Sequence, residues 1–218
     1  GCNVLLSRNQ FVELVRNLEN IGLGIEPDIF IGSKALKPDE LIVLFKIRNT
    51  NVNFRTEPAY HVANVTLDLA SAVALADGKI SEIELELLKR IIESWVHLSP
   101  EQHERLKAFL QLKIKQPSSL MSLKKKLELL SGENRRSIAQ ILVQLAQVDG
   151  VVEPAEVKLL ERIYVVLQLE KQQVYKDLHV SSTNIQLQPT RNVFTTSDNA
   201  TKFKLDFEKY CLKNNYAP

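Results

Sequence analysis

The stretch "ADGKISEIE" at residues 76–84 is nearly respelled by "VDGVVEPAE" at residues 148–156, 72 positions later. In that register Asp77 meets Asp149, Gly78 meets Gly150, Ile80 meets Val152 and Glu84 meets Glu156. The match runs on through Leu87 and Leu159, Leu88 and Leu160, Arg90 and Arg162, and Ile91 and Ile163. The shared pattern is D-G-x-[IV]-x-x-x-E-x-x-L-L-x-R-I. Each copy joins an Ala-rich apolar segment, "SAVALA" or "LVQLAQ", to a Leu-rich one, and so reads as helix, tight turn, helix. Two amphipathic units of this kind must bury their apolar faces, which predicts an all-α bundle with an internal pseudo-two-fold. Two copies make a duplication; solenoids need three or more.

Apolar spacing of three and four continues through most of the chain, and several helix starts are written in capping residues. Ser81 with Glu84 and Ser99 with Gln102 are S-x-x-[EQ] boxes, the second with Pro100 at the first helical position. Pro154 fits the same position and makes Glu153 the cap, with Glu156 third. These signals predict about seven helices, over 59–76, 81–96, 100–114, 118–130, 133–147, 154–168 and 171–179. Upstream, Phe11, Leu14, Val15, Leu18 and Ile21 mark one face of a first helix that ends near "IGLG". "IEPDIFIGSKALKPDE" then reads as an extended or looped connection, and "LIVLFKI" as either a short strand or a helix start. The expected organisation is an N-terminal helix and lead-in over 1–58 and a helical domain over 59–180. A polar linker opening into a short amphipathic element, "FKLDFEKYCLK", follows over 181–218. Both extensions are expected to be irregular.

Composition limits the function classes. With 218 residues, 44% hydrophobic and 25% charged, the chain can bury a sizeable core. A net charge of +2 gives no bulk attraction for nucleic acid or membrane, and no apolar run approaches bilayer length. Cys2 and Cys211 form no C-x-x-C or Cys/His cluster, so they read as free thiols of a reduced, cytoplasmic protein. The opening "GCNVLL" lacks a methionine and reads as the start of a processed product or an excised fragment.

The repeated turn can be set against the calcium loop D-x-[DN]-x-[DN]-G-x₅-E. Asp77 falls on loop position 5, Gly78 on 6, Ile80 on 8 and Glu84 on 12. Positions 1 and 3 would be Val73 and Leu75, or Leu145 and Gln147, so the dedicated oxygen donors are mostly absent and the pattern argues against an autonomous EF-hand. Much of the motif has a purely local use: glycine for positive φ, aspartate for a turn bond and glutamate for a capping box. If the two units pack together, however, Asp77, Glu84, Asp149 and Glu156 converge. Four close carboxylates repel unless they are protonated or bridged by a hard cation such as Ca²⁺ or Mg²⁺. Glu82 and Glu153 add negative potential in the same turns.

The stretches "LASAVALADGKISEIELELLKRI" and "LVQLAQVDGVVEPAEVKLLERI" resemble the paired acidic turns of the tellurite-resistance TerB-like family, an all-helical domain also seen at the start of DjlA-type co-chaperones. The resemblance covers roughly residues 59–180. "GIEPDIFIG" and "LIVLF" are similar to the segment leading into this domain in larger relatives, and "FKLDFEKYCLK" to the domain that follows it, as in an excised middle portion. The resemblance implies a non-enzymatic module of stress or metal-ion response. Its acidic cation-binding surface would carry over to Asp77, Glu84, Asp149 and Glu156, and its protein partners could include membrane-associated resistance machinery. The second copy departs at Gln147 and Glu153, where the first has Leu75 and Ser81, so equal affinities do not follow.

Two alternatives compete. "SLKKKLELL" sets Leu120, Leu123, Leu127 and Leu130 on one face and leaves Lys124, Lys125 and Lys126 largely outward. With Lys113, Lys115, Arg135 and Arg136, these could make a basic face for a phosphate-bearing or acidic partner. Aromatic residues are 6% of the chain and none lies within the lysine run, so the signal for nucleic acid is weak. A carboxylate-based hydrolase is the second alternative, although no P-loop, G-x-S-x-G, G-x-G-x-x-G or zinc spacing is present. His61, His97, His103 and His179 read as surface or helix-end residues, and Trp95 as core.

Overall fold

The computed structural model describes residues 6–31, 40–48, 55 and 57–181. Among them the helices are α1 (Arg8–Asn20), α2 (Pro58–Ala74), α3 (Glu82–Ser94), α4 (Pro100–Lys115), α5 (Leu120–Leu127), α6 (Gly132–Ala146), α7 (Pro154–Val166) and α8 (Gln173–Ser181). Two short strands, β1 (Leu23–Glu26) and β2 (Val43–Lys46), pair antiparallel, with Gly24 opposite Phe45. "LIVLFKI" therefore resolves as a strand. The expected 181–218 linker and its amphipathic stretch lie outside the described residues beyond Ser181, as do Cys2 and Cys211.

The bundle is built around α2. Its sequence, "PAYHVANVTLDLASAVA", is apolar on every side, and a helix without a polar face must be surrounded. It packs against α3, α4, α5, α6 and α7. Two of its polar side chains are settled within the helix, Thr66 donating to the Val62 carbonyl and Ser71 to the Leu67 carbonyl, both at 2.7 Å. The matched leucines and isoleucines of the repeat meet in one core, where Leu88, Leu160 and Ile163 are fully buried and Ile91 nearly so. Trp95 belongs to that core, as expected.

Of the predicted caps, Ser81 and Ser99 each accept from the third helical N–H and receive a returning Glu or Gln bond, and at Glu153 the returning Glu156 bond forms; Ser7 adds a box that was not predicted. Ser119 and Ser131 start α5 and α6 with single cap bonds.

The N-terminal extension is more ordered than expected. Phe11 and Val15 of α1 close a second, smaller core with Ile25, Ile29 and Phe30. The other side of the strand pair lies on α4. Gly24 has no Cβ, which makes room for the Phe45 ring; a methyl group there would sit 2.3 Å from its Cζ. The ring is thereby free to lie under the Arg105 guanidinium, 5.0 Å from its centroid. No described helix is long and apolar enough to cross a membrane.

Candidate functional site

The two Asp-Gly turns repeat each other bond for bond. Gly78 and Gly150 have φ of 92° and 85°, the left-handed region that only glycine enters without cost. Asp77 Oδ1 accepts the Lys79 N–H at 2.9 Å, and Asp149 Oδ1 accepts the Val151 N–H at 3.0 Å. Glu84 Oε2 takes the Ser81 N–H at 2.8 Å, and Glu156 Oε2 takes the Glu153 N–H at 2.9 Å. Each aspartate thus spends one oxygen on its turn and each glutamate one on its cap. The other four, Oδ2 of Asp77 and Asp149 and Oε1 of Glu84 and Glu156, carry no hydrogen bond among the described residues. Both aspartates are exposed and both glutamates are buried.

These carboxyl groups act on one another. Glu156 is pushed up from 4.5 to about 7, first by burial and then by the charges of Glu84, Asp149 and Asp77, against an opposing effect from the Glu153 N–H bond. The sequence-predicted set is therefore within electrostatic reach of Glu156. Glu82 and Glu153 remain exposed at the helix starts. Among the described residues no three His, Cys, Asp or Glu side chains are grouped closely enough to enclose a bare metal ion.

The departure at Gln147 has a structural reason. Its Nε2 donates to the Leu178 carbonyl at 2.6 Å, which ties α8 to the second turn. Leu75, its counterpart, cannot make such a bond.

The expected basic face is corrected. Lys124 is exposed, but Lys126 turns inward, and its Nζ lies 3.8 Å from Oδ2 of Asp68, a carboxylate 1% exposed on α2. Lys113 approaches the other oxygen at 3.6 Å while donating to Ser118 at 2.7 Å. Among the described residues neither Asp68 oxygen accepts a hydrogen bond, and burial pushes Lys126 down. Arg135 is also engaged, donating to the Leu127 and Leu130 carbonyls at the end of α5 and to Gln168. Of the expected face, Lys115, Lys124 and Arg136 point to solvent, and the side chain of Lys125 lies outside the described ones.

His61 is corrected as well. It is buried in the same region and donates from Nε2 to the Lys126 carbonyl at 3.1 Å, and burial pushes it down to about 4. Asp68 is the signal that could have located this cluster. It is the one charged side chain in "VANVTLDLASAVALA", and a lone charge in so apolar a helix requires a partner.

An all-helical bundle bearing two acidic helix–turn–helix units defines the class of module. The particular family follows from comparison: residues 63–177, just over half of the chain, match the family model described as tellurite resistance protein TerB, and the chain belongs to that family. No curated protein and no solved structure matches it.

Proposed function

We propose that this tellurite-resistance-type helical module is a non-enzymatic, cytoplasmic stress-response scaffold. Its paired acidic turns take up a divalent cation, Ca²⁺ or Mg²⁺, and thereby set the charge presented to a protein partner. The observation that carries this reading is Glu156, a buried carboxyl under the added pressure of three neighbouring carboxylates. A cation relieves that repulsion. The ion would be held through its own water shell, hydrogen-bonded to the oxygens left free by the turn and cap bonds. The reading as a scaffold rests on family membership and on the absence of catalytic motifs from the sequence. The alternative of an anion-binding adaptor is not favoured, since Lys126, Lys113 and Arg135 already have internal partners.

Calorimetry and thermal melts with Ca²⁺ and Mg²⁺, against NaCl of equal ionic strength, test the proposal. A cation at ten times its Kd stabilises the folded state by about 1.4 kcal/mol. The Asp77→Asn, Asp149→Asn double variant keeps both turn bonds and deletes two charges. It should be more stable than wild type without metal and indifferent to metal. Identical responses to MgCl₂, CaCl₂ and NaCl in the wild type, or an undiminished cation response in the double variant, would sink the proposal.

A further inference from the structure

A second crowded set of charges lies between the N-terminal segment and the bundle, in the "EPD" stretch that the turns leave unexplained. Arg105 projects from α4, 2% exposed, and meets carboxyl groups from three places. Its Nη2 donates to Glu19 Oε1 of α1 at 2.7 Å. Its Nη1 faces three acceptors, the Ile25 carbonyl at 3.2 Å, Glu26 Oε1 at 3.3 Å and Asp28 Oδ2 at 3.2 Å. Arg55 joins Glu19 to Asp28, its Nε donating to Asp28 Oδ2 at 2.6 Å.

Two features of this geometry matter. Among the described residues three buried carboxyl groups share two guanidiniums, so within this bonded set the carboxyl groups outnumber the cations by one. The shortfall falls on Glu26, whose Oε1 has only a long share of a nitrogen with two hydrogens and three claimants; charge-assisted bonds ordinarily run about 2.7–2.9 Å. Its Oε2 accepts the Asp28 N–H at 3.0 Å, an acceptor role that a neutral acid fills equally well.

We propose that Glu26 is carried as the neutral acid in the folded protein, and that its ionisation loosens the β1–β2 ribbon and α1 from α4, making the N-terminal segment a pH-gated latch. The titratable and charged groups facing it are Glu19 from α1, Asp28 from the loop after β1, Arg55, Tyr60 from α2, Arg105 from α4 and, without a direct bond, Lys126 from α5. The two arginines stay charged throughout. Burial pushes the Tyr60 hydroxyl well up, so it adds no charge near neutrality, and Arg55 and Arg105 hold Asp28 down as the anion.

Burial is also the largest influence on Glu26, followed by the lowering effect of Arg105 and the raising effect of Asp28; together they move it from 4.5 to about 7. For an acid moved upward, the latch is tightest below the unfolded value and weakens as pH rises toward the folded one. That span corresponds to a change of about 300-fold in the docking equilibrium.

The test compares the full chain with its Glu26→Gln variant by amide exchange. Gln stands in for the neutral acid, and comparison at equal pH cancels the intrinsic exchange rates. At pH 8 the amides of β1 and β2 should be at least tenfold better protected in the variant, with α6 amides unchanged. At about pH 4, below the unfolded value, the two proteins should match. A ¹³C titration of the Glu26 side-chain carboxyl should have its midpoint near 7. Equal protection at both pH values, poorer protection in the variant throughout, or a midpoint below 5 would overturn the latch.

Discussion

Replacing Glu156 with glutamine isolates the electrostatic load on the acidic turns. Glutamine at the third helical position still accepts the Glu153 N–H, so the cap survives and only the titration is lost. Moving an acid from 4.5 to about 7 corresponds to about 3 kcal/mol at 1.36 kcal/mol per unit. Because the value is raised, the folded state holds the proton more tightly. The contribution is complete below pH 4.5 and gone above about 7, so the wild type loses ~3 kcal/mol across that window. For a chain of this size that is roughly 6–12 °C in Tm. Guanidinium melts followed by Trp95 fluorescence, from pH 4.5 to 8.5 with chelator present, would read it. Both proteins should carry Glu26→Gln, since Glu26 titrates in the same range. The protein that retains Glu156 should fall away from the Glu156→Gln variant as pH rises; parallel curves would refute the reasoning. Adding Asp77→Asn and Asp149→Asn should shrink the separation without abolishing it, because burial outranks the neighbouring charges. If it vanished, that ranking would be wrong.

Two further outcomes are expected. Asp68→Asn leaves Lys113 and Lys126 facing a neutral amide in a buried site and should cost roughly 3–5 kcal/mol in a denaturant melt, whereas Lys124→Gln should stay within about 0.5 kcal/mol. Gly78→Ala and Gly150→Ala each have open space for the new methyl group, so their cost should be backbone strain alone, roughly 1–2 kcal/mol and equal for the two.

The bundle is legible in the sequence because its signals are local. A serine and a glutamate three residues apart define Ser81 and Glu84 as a helix start without reference to the rest of the chain, and Leu87, Leu88 and Ile91 name a buried face. The short strand β2 is ambiguous because four residues are too few for a period to show. The charged clusters are hidden by distance along the chain. Lys126 reads as one of three solvated lysines until α2 brings Asp68, 58 positions earlier, beneath it. Arg105 looks like any helix-surface cation, although its partners lie at Glu19, Glu26 and Asp28. For the acidic turns, the residues and their paired bonding can be read from the repeat itself, while the burial that separates Glu156 from Asp149 depends on how α7 seats in the core.

The bond from Gln147 to the Leu178 carbonyl divides the labour of the repeated phrase. Gln147 stands two positions before Asp149, and Leu178 stands three before the end of α8. The second turn and the last described helix are therefore one mechanical joint. This bond fixes the C-terminal half of α8 beside the second turn. With leucine in the corresponding place, the first turn has no such tether. The same phrase, spelled twice, anchors a neighbouring helix through residue 147 in its second copy and lacks that side-chain bond at residue 75 in its first.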